Sequence, residues 1–163
     1  MAYQKEQKDS EVINLDDRDY EILGLLERNA KLTVREIAAQ INLTPTPTHE
    51  RIKNLEKSGV IKTYAAILDK KKINRGIMVL CMVTLKGHDK KKNEAFIHAV
   101  LSFTEVTECY IVSGDSDFML KIVTESMDSY QDFFMNKLTS IDVIWQTKSI
   151  FVMDVIKETH QLL

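Results

Sequence analysis

Residues 33–59 constrain this chain more tightly than any other stretch, because two helices must fit around a link of three residues. Thr33-x-x-Glu36 is a capping box: the hydroxyl accepts from one free N–H and the carboxylate returns the bond. Ile37, Ala38 and Ile41 then share one face, and the small Ala38 lets another helix approach closely. Asn42 tolerates the left-handed backbone that a sharp turn needs. Thr44 is placed to cap the next helix, and Pro45 takes its first position, where the missing N–H costs nothing. Pro47 still falls within the first turn. Ile52 and Leu55 face inward, which leaves Thr46, Thr48, His49, Glu50, Arg51, Lys53 and Asn54 at exposed positions. Ser58-Gly59 stops the helix. An earlier helix starts at the N-cap Asp16, with Leu15 and Tyr20 spaced as a hydrophobic staple and Ile22, Leu23 and Leu26 on one face, and it ends at Asn29. Three helices with this short middle link predict a helix-turn-helix.

Charge sharpens that reading. The chain of 163 residues carries a formal net charge of −2, which alone speaks against an anionic partner. Its distribution reverses the point. Residues 44–75 hold eight basic and three acidic side chains, while residues 1–43 and 76–163 both carry an acidic excess. One positive surface on an acidic protein fits phosphate contact at that surface. The geometry of the motif places the third helix in the major groove of double-stranded DNA, with its N-terminal end near base edges. Arg51 matches guanine bidentately and Asn54 matches adenine. His49 is a further DNA-facing candidate. Lys53, Lys57 and Lys62 suit phosphates, which position a protein without reading sequence. Thr44, Thr46 and Thr48 are candidate phosphate donors at the helix N-terminus.

From Gly76 the periodicity changes. Strands are predicted over 77–85, 105–112, 117–124 and 142–156, and helices over 93–101 and 128–138. Lys90–Lys92 reads as a charged helix start. The fold class is therefore α+β: a winged helix-turn-helix, then a ferredoxin-like β-α-β-β-α-β domain of ACT-like kind. Val60–Leu68 reads as strand-like, a wing or a connector. The expected organisation is a flexible segment 1–14, a DNA-binding domain 15–63, a connector 64–75 and an assembly and sensing domain 76–163. The second domain would be a four-stranded antiparallel sheet with both helices on one face. Nothing remains in the chain to cover the other face, so a second copy is expected there.

The chain holds no phosphate-binding Gly-rich loop, CxxC pair or HExxH motif, and His49, His88, His98 and His160 show no ligand spacing. No metal site, cofactor or catalytic set is expected. Cys81 and Cys109 sit in apolar runs and read as reduced thiols of a cytoplasmic protein. No apolar run approaches the roughly 18 residues that span a bilayer, and the charged first residues are unlike a signal peptide. No membrane contact is expected.

The stretch LDDRDYEILGLLERNAKLTVREIAAQINLTPTPTHERIKNLEKSGVIKTYAAIL resembles the DNA-binding domain of the Lrp/AsnC, or feast/famine, transcriptional regulators. YIVSGDSDFMLKI and SIFVMDVIKE resemble their ligand-sensing domain, and the likeness runs from about Leu15 to Glu158. Asn42 stands where the family usually has Gly, and Thr147-Lys148-Ser149 is a second departure. The resemblance implies dimers that pair through their C-terminal sheets and build octamers. It implies that a free amino acid binds between dimers near Ser113, Gly114, Asp115, Ser116 and Asp117, with Met127 and Ile150 at positions linked to the response. The chemistry suits a zwitterion: backbone N–H groups at 113–115 for its carboxylate, Asp115 and Asp117 for its ammonium, and Gly114 for close approach. The same five residues also suit an ordinary β-turn. Two other functions fit the layout. Sirohaem decarboxylases resemble it but need acid–base histidines around a large pocket, and His88 and His98 fall beside a helix instead. An effector-independent chromosome-organising protein would bind DNA without any ligand response.

Overall fold

A computed structural model describes residues 12–87 and 89–163. His88 and the first eleven residues of the segment expected to fray lie outside the described residues. The described residues form two compact units, one running to Ala66 and including 157–163, and one of Ile67–Ile156.

The first unit holds α1 (Asp17–Arg28), α2 (Val34–Gln40) and α3 (Pro45–Lys57). Both predicted caps of the first two helices form. Thr33 Oγ1 accepts from the Glu36 amide at 3.3 Å, and Glu36 accepts from the Thr33 amide at 2.7 Å. These bonds hold the Glu36 carboxyl below its ordinary pKa, the Thr33 amide contributing most. Thr33→Ala is expected to cost about 1 kcal/mol, read from a denaturant melt of the whole chain. Asp16 and Asp19 close a second box at α1. Of the pair expected as a staple, Leu15 packs on the core and Tyr20 is half exposed. Asn42 adopts φ 54°, the left-handed turn its side chain was expected to permit. Gly59, at φ 77°, ends α3 as expected. Ile22, Ile37, Ile41, Ile52 and Leu55 fill the core between the three helices.

Val60–Leu68 contains no strand, contrary to its β-branched pattern. Among the described residues no strand pairs with this segment, and an extended segment without a partner is not a strand.

The second unit follows the predicted order: β1 (Ile77–Leu85), α4 (Lys90–Val100), β2 (Val106–Ile111), β3 (Phe118–Thr124), α5 (Met127–Phe133) and β4 (Ile144–Phe151). The antiparallel sheet has order β2-β3-β1-β4. α4 starts before the expected Asn93, because Asp89 caps it by accepting from the Lys92 amide at 2.9 Å. α5 continues as a π-helical turn over Phe134–Leu138. β4 is shorter than the expected 142–156. Its partner β1 begins at Ile77, so the ladder runs out just after Phe151 pairs with Val79. Val79, Cys81, Val83 and Leu85 of β1 are buried with Phe118, Leu120 and Ile122 of β3 beneath Phe96, Val100, Tyr130, Phe133 and Leu138 of the helices. Burial pushes the Cys81 thiol up to about 11, so it stays protonated and inert near neutral pH.

Alternation puts the intervening residues on the opposite face. Met78, Leu80 and Met82 of β1 lie there with Met119 of β3, Tyr110 of β2 and Ile150 of β4. A Glu108–Lys121 ion pair of 2.9 Å crosses the same face near its edge. α4 and α5 pack on the Val79 face, so among the described residues no helix of this unit covers this one, in line with the element count.

Candidate functional site

α3 is built to show one face. Thr48, Ile52 and Leu55 point inward and are buried. Opposite them, Thr46, Glu50, Lys53 and Lys57 are spaced i, i+4, i+7 and i+11, which aligns them in one stripe. All four are exposed, as are the flanking His49 and Asn54. Lys53 and Lys57 make no ion pair among the described residues. Glu50, read from the sequence as exposed but not as a DNA contact, lies in the middle of this stripe. A carboxylate there repels anions and accepts from amino groups.

Three expectations for this helix are corrected. Thr44 occupies the N-cap position with extended backbone, but its side chain makes no capping bond. Thr48 is fully buried, and its hydroxyl donates back to the Thr44 carbonyl at 3.0 Å, so it is withdrawn from any phosphate. The anion-binding character of the helix start is also thin. Pro45 and Pro47 have no N–H, which leaves Thr46 as the free amide donor of the first three positions.

Arg51 departs furthest from expectation. Its guanidinium does not join the outer stripe. Nη1 donates to Asp16 Oδ2 at 2.7 Å and to Asp19 Oδ1 at 2.8 Å, both at the start of α1. The Asp16 carboxyl is held below its usual range, first by the Asp19 amide and then by Arg51. Arg51 is in turn held protonated by both carboxylates, Asp19 most. Sequence spacing could not reveal this, because the partners lie 32 and 35 residues away.

The β2–β3 turn carries the other candidate residues. Gly114 has φ 118°, a conformation that side-chain-bearing residues rarely adopt, and a Cβ there would meet nothing within 4 Å. The Asp115 carboxylate is exposed and makes no hydrogen bond among the described residues, while its carbonyl accepts from Thr84 Oγ1 at 3.3 Å. Ser113 is exposed and Ser116 half buried. Asp117 is engaged within the sheet: Oδ2 accepts from the Leu85 amide at 2.8 Å, beside the irregularity between Thr84 and Leu85. Its amide donates to Val83 at 2.9 Å. Asp117 thus anchors the turn to β1, where the sequence suggested an acceptor for an ammonium group.

Met127 and Ile150 do not join this turn within one chain. Ile150 sits in β4 opposite Leu80, on the uncovered sheet face. Met127 opens α5, just past Thr124, whose partner in β1 is Ile77. Asp117 and Thr124 bracket β3, so the turn and Met127 lie at opposite ends of a strand about 23 Å long. Among the described residues there is no group of three or more His, Cys, Asp or Glu able to hold a metal, and no helix long and apolar enough to cross a membrane.

A helix-turn-helix with a lysine-bearing outer face, joined to a βαββαβ sheet domain, defines the class of two-domain DNA-binding regulators. Residues 15–62 match the family model described as winged helix-turn-helix DNA-binding, and residues 78–162 match the Lrp/AsnC ligand binding domain. The chain belongs to the Lrp/AsnC family of DNA-binding transcriptional regulators. It is 34% identical to the leucine-responsive regulatory protein of Haemophilus influenzae, over 91% of this chain and 89% of that one. It is 32% identical to the transcriptional regulator AzlB of Bacillus subtilis, over 90% and 94%. A transcriptional regulator of Neisseria meningitidis, solved in complex with L-Met, superposes with TM-score 0.88 at 31% identity, covering 92% of this chain and 97% of that one.

Proposed function

We propose that this protein regulates transcription in response to a free amino acid, acting in the cytoplasm without catalysis or cofactor. The outer stripe of α3 carries the reading: exposed Lys53 and Lys57, flanked by Thr46, His49, Glu50 and Asn54, on the second helix of a helix-turn-helix. Thr44 lies at the edge of this surface. Residues 15–63 serve DNA binding, 64–75 connect, and 76–163 assemble subunits and bind the effector. The apolar sheet face pairs two copies into a dimer, and dimers build a larger ring, an octamer by resemblance. The effector sits at the open turn, with Gly114 giving backbone access and Asp115 receiving the ammonium. Because Met127 and Ile150 lie away from that turn in one chain, they contribute from a neighbouring subunit. The relative crystallised with L-Met supports an amino acid as the ligand class.

Salt titration of duplex binding tests the first half. Affinity is expected to fall roughly 10³-fold or more between 50 and 200 mM salt if the assembly neutralises six or more phosphates. Lys53→Ala/Lys57→Ala should flatten the log–log slope by about 0.9 for each phosphate no longer neutralised. Binding indifferent to salt rejects this surface as the one that meets DNA.

A further inference from the structure

Arg51 lies next to the outer stripe in sequence, yet its partly buried side chain reaches across to the start of α1. Its Nη1 bridges Asp16 and Asp19 at 2.7 and 2.8 Å. Each carboxylate has one oxygen left, and each spends it on the other residue's backbone. Asp16 Oδ1 accepts from the Asp19 amide at 2.9 Å, and Asp19 Oδ2 accepts from the Asp16 amide at 3.2 Å. All four carboxylate oxygens are therefore in use. Two carboxylates so close repel one another. The N-terminal end of α1 offsets part of that repulsion, and the guanidinium supplies a full compensating charge.

The cluster ties the start of α1 to the middle of α3. Ile22, Ile52 and Leu55 also hold these helices together, but apolar contact is non-directional. It tolerates small rotations of α3 about its axis. An ion pair through one nitrogen to two fixed oxygens tolerates far less. Rotation matters here, because residues of the outer stripe must meet base edges within an angular range set by side-chain reach.

We propose that Arg51 is a positioning residue for DNA reading, locking the rotation of α3 through Asp16 and Asp19 without touching DNA itself. This rests on the DNA-reading role proposed above. A base-reading Arg51 and a positioning Arg51 predict effects of opposite sign when its partners are neutralised. Asp16→Asn/Asp19→Asn keeps good capping residues but removes two negative charges. Were Arg51 to touch DNA, freeing it and raising the positive charge should tighten binding. If Arg51 positions α3, binding weakens instead.

The experiment uses the full chain and a duplex that it selects from a randomised pool. Affinity is measured across salt, well below each variant's thermal midpoint. Arg51→Ala and the double Asn variant are each expected to bind roughly fivefold more weakly, and the triple variant no more weakly than Arg51→Ala. Arg51→Ala should leave the salt slope unchanged, since the same phosphates stay neutralised. Arg51→Lys, which reaches only one carboxylate, should fall between and serves if the alanine variant does not fold. The proposal is overturned by unchanged or tighter binding of the double Asn variant, or by a slope flattened by about 0.9 for Arg51→Ala. A wild-type chain that binds no duplex rejects the DNA-reading role itself, and this inference with it.

Discussion

Met82→Lys is expected to break the assembly into monomers at micromolar concentration while leaving each chain folded. Met82 sits on the uncovered sheet face, paired with Met119 on one side and Lys148 on the other. A lysine there sets two ammonium groups directly across from each other, and like charges opposite one another destabilise a ladder. In a paired sheet the new ammonium, on the central strand β1, would also have to leave water, whereas Lys148 on the edge strand β4 can keep its own hydrated. An unpaired buried charge costs several kcal/mol, enough to undo an association of ordinary strength. The helix-facing core of Val79, Cys81, Val83 and Leu120 is untouched, so circular dichroism should remain native. DNA affinity should fall by roughly 10²-fold or more, because two linked reading heads become one. Solution mass and a duplex titration check both effects. A dimer of undiminished mass would show that the sheet face does not join the subunits.

Gly114→Trp is expected to abolish amino-acid binding while DNA binding persists. The position is open, so the indole would fill the ligand's approach instead of colliding with the chain. The φ of 118° adds backbone strain of about 1–3 kcal/mol for any residue with a side chain. Gly114→Ala carries the same strain with little bulk, and so separates the two causes. A thermal-shift screen of the twenty amino acids gives the readout. A ligand at a hundredfold excess over its dissociation constant stabilises the native state by about 2.7 kcal/mol, and that gain should vanish in the Trp variant. Normal ligand-induced stabilisation of the Trp variant would remove the turn as the site.

Local chemistry was legible without coordinates. The boxes at Asp16 and Thr33, the left-handed Asn42, the stop at Gly59 and the order of strands and helices all depend on neighbours within a few residues. The uncovered sheet face follows from counting elements, but which face of β1 turns inward does not, because Ile77 to Val83 are all apolar. Family membership rested on motifs of the same kind. Errors arose where a partner far along the chain decides. Val60–Leu68 has strand chemistry but no strand to pair with, and β4 stops where β1 does. Thr48, by contrast, reads as exposed from its residue type, although it shares the i, i+4, i+7 face of Ile52 and Leu55 and is buried with them. Asp117 reads as a turn carboxylate, and only the folded sheet brings its Oδ2 to the Leu85 amide 32 residues away.

Residues 33–59 thus determine by themselves that two capped helices meet at a tight turn, because caps, prolines and a left-handed Asn act through bonds to near neighbours. Only the packed unit decides which polar side chains of α3 are claimed by partners within the protein. Arg51 has the chemistry of a guanine reader, but Asp16 and Asp19 hold its Nη1 at 2.7 and 2.8 Å. Charge and hydrogen bonding belong to the residue type, whereas the partner that satisfies them is chosen by which helices the core brings side by side.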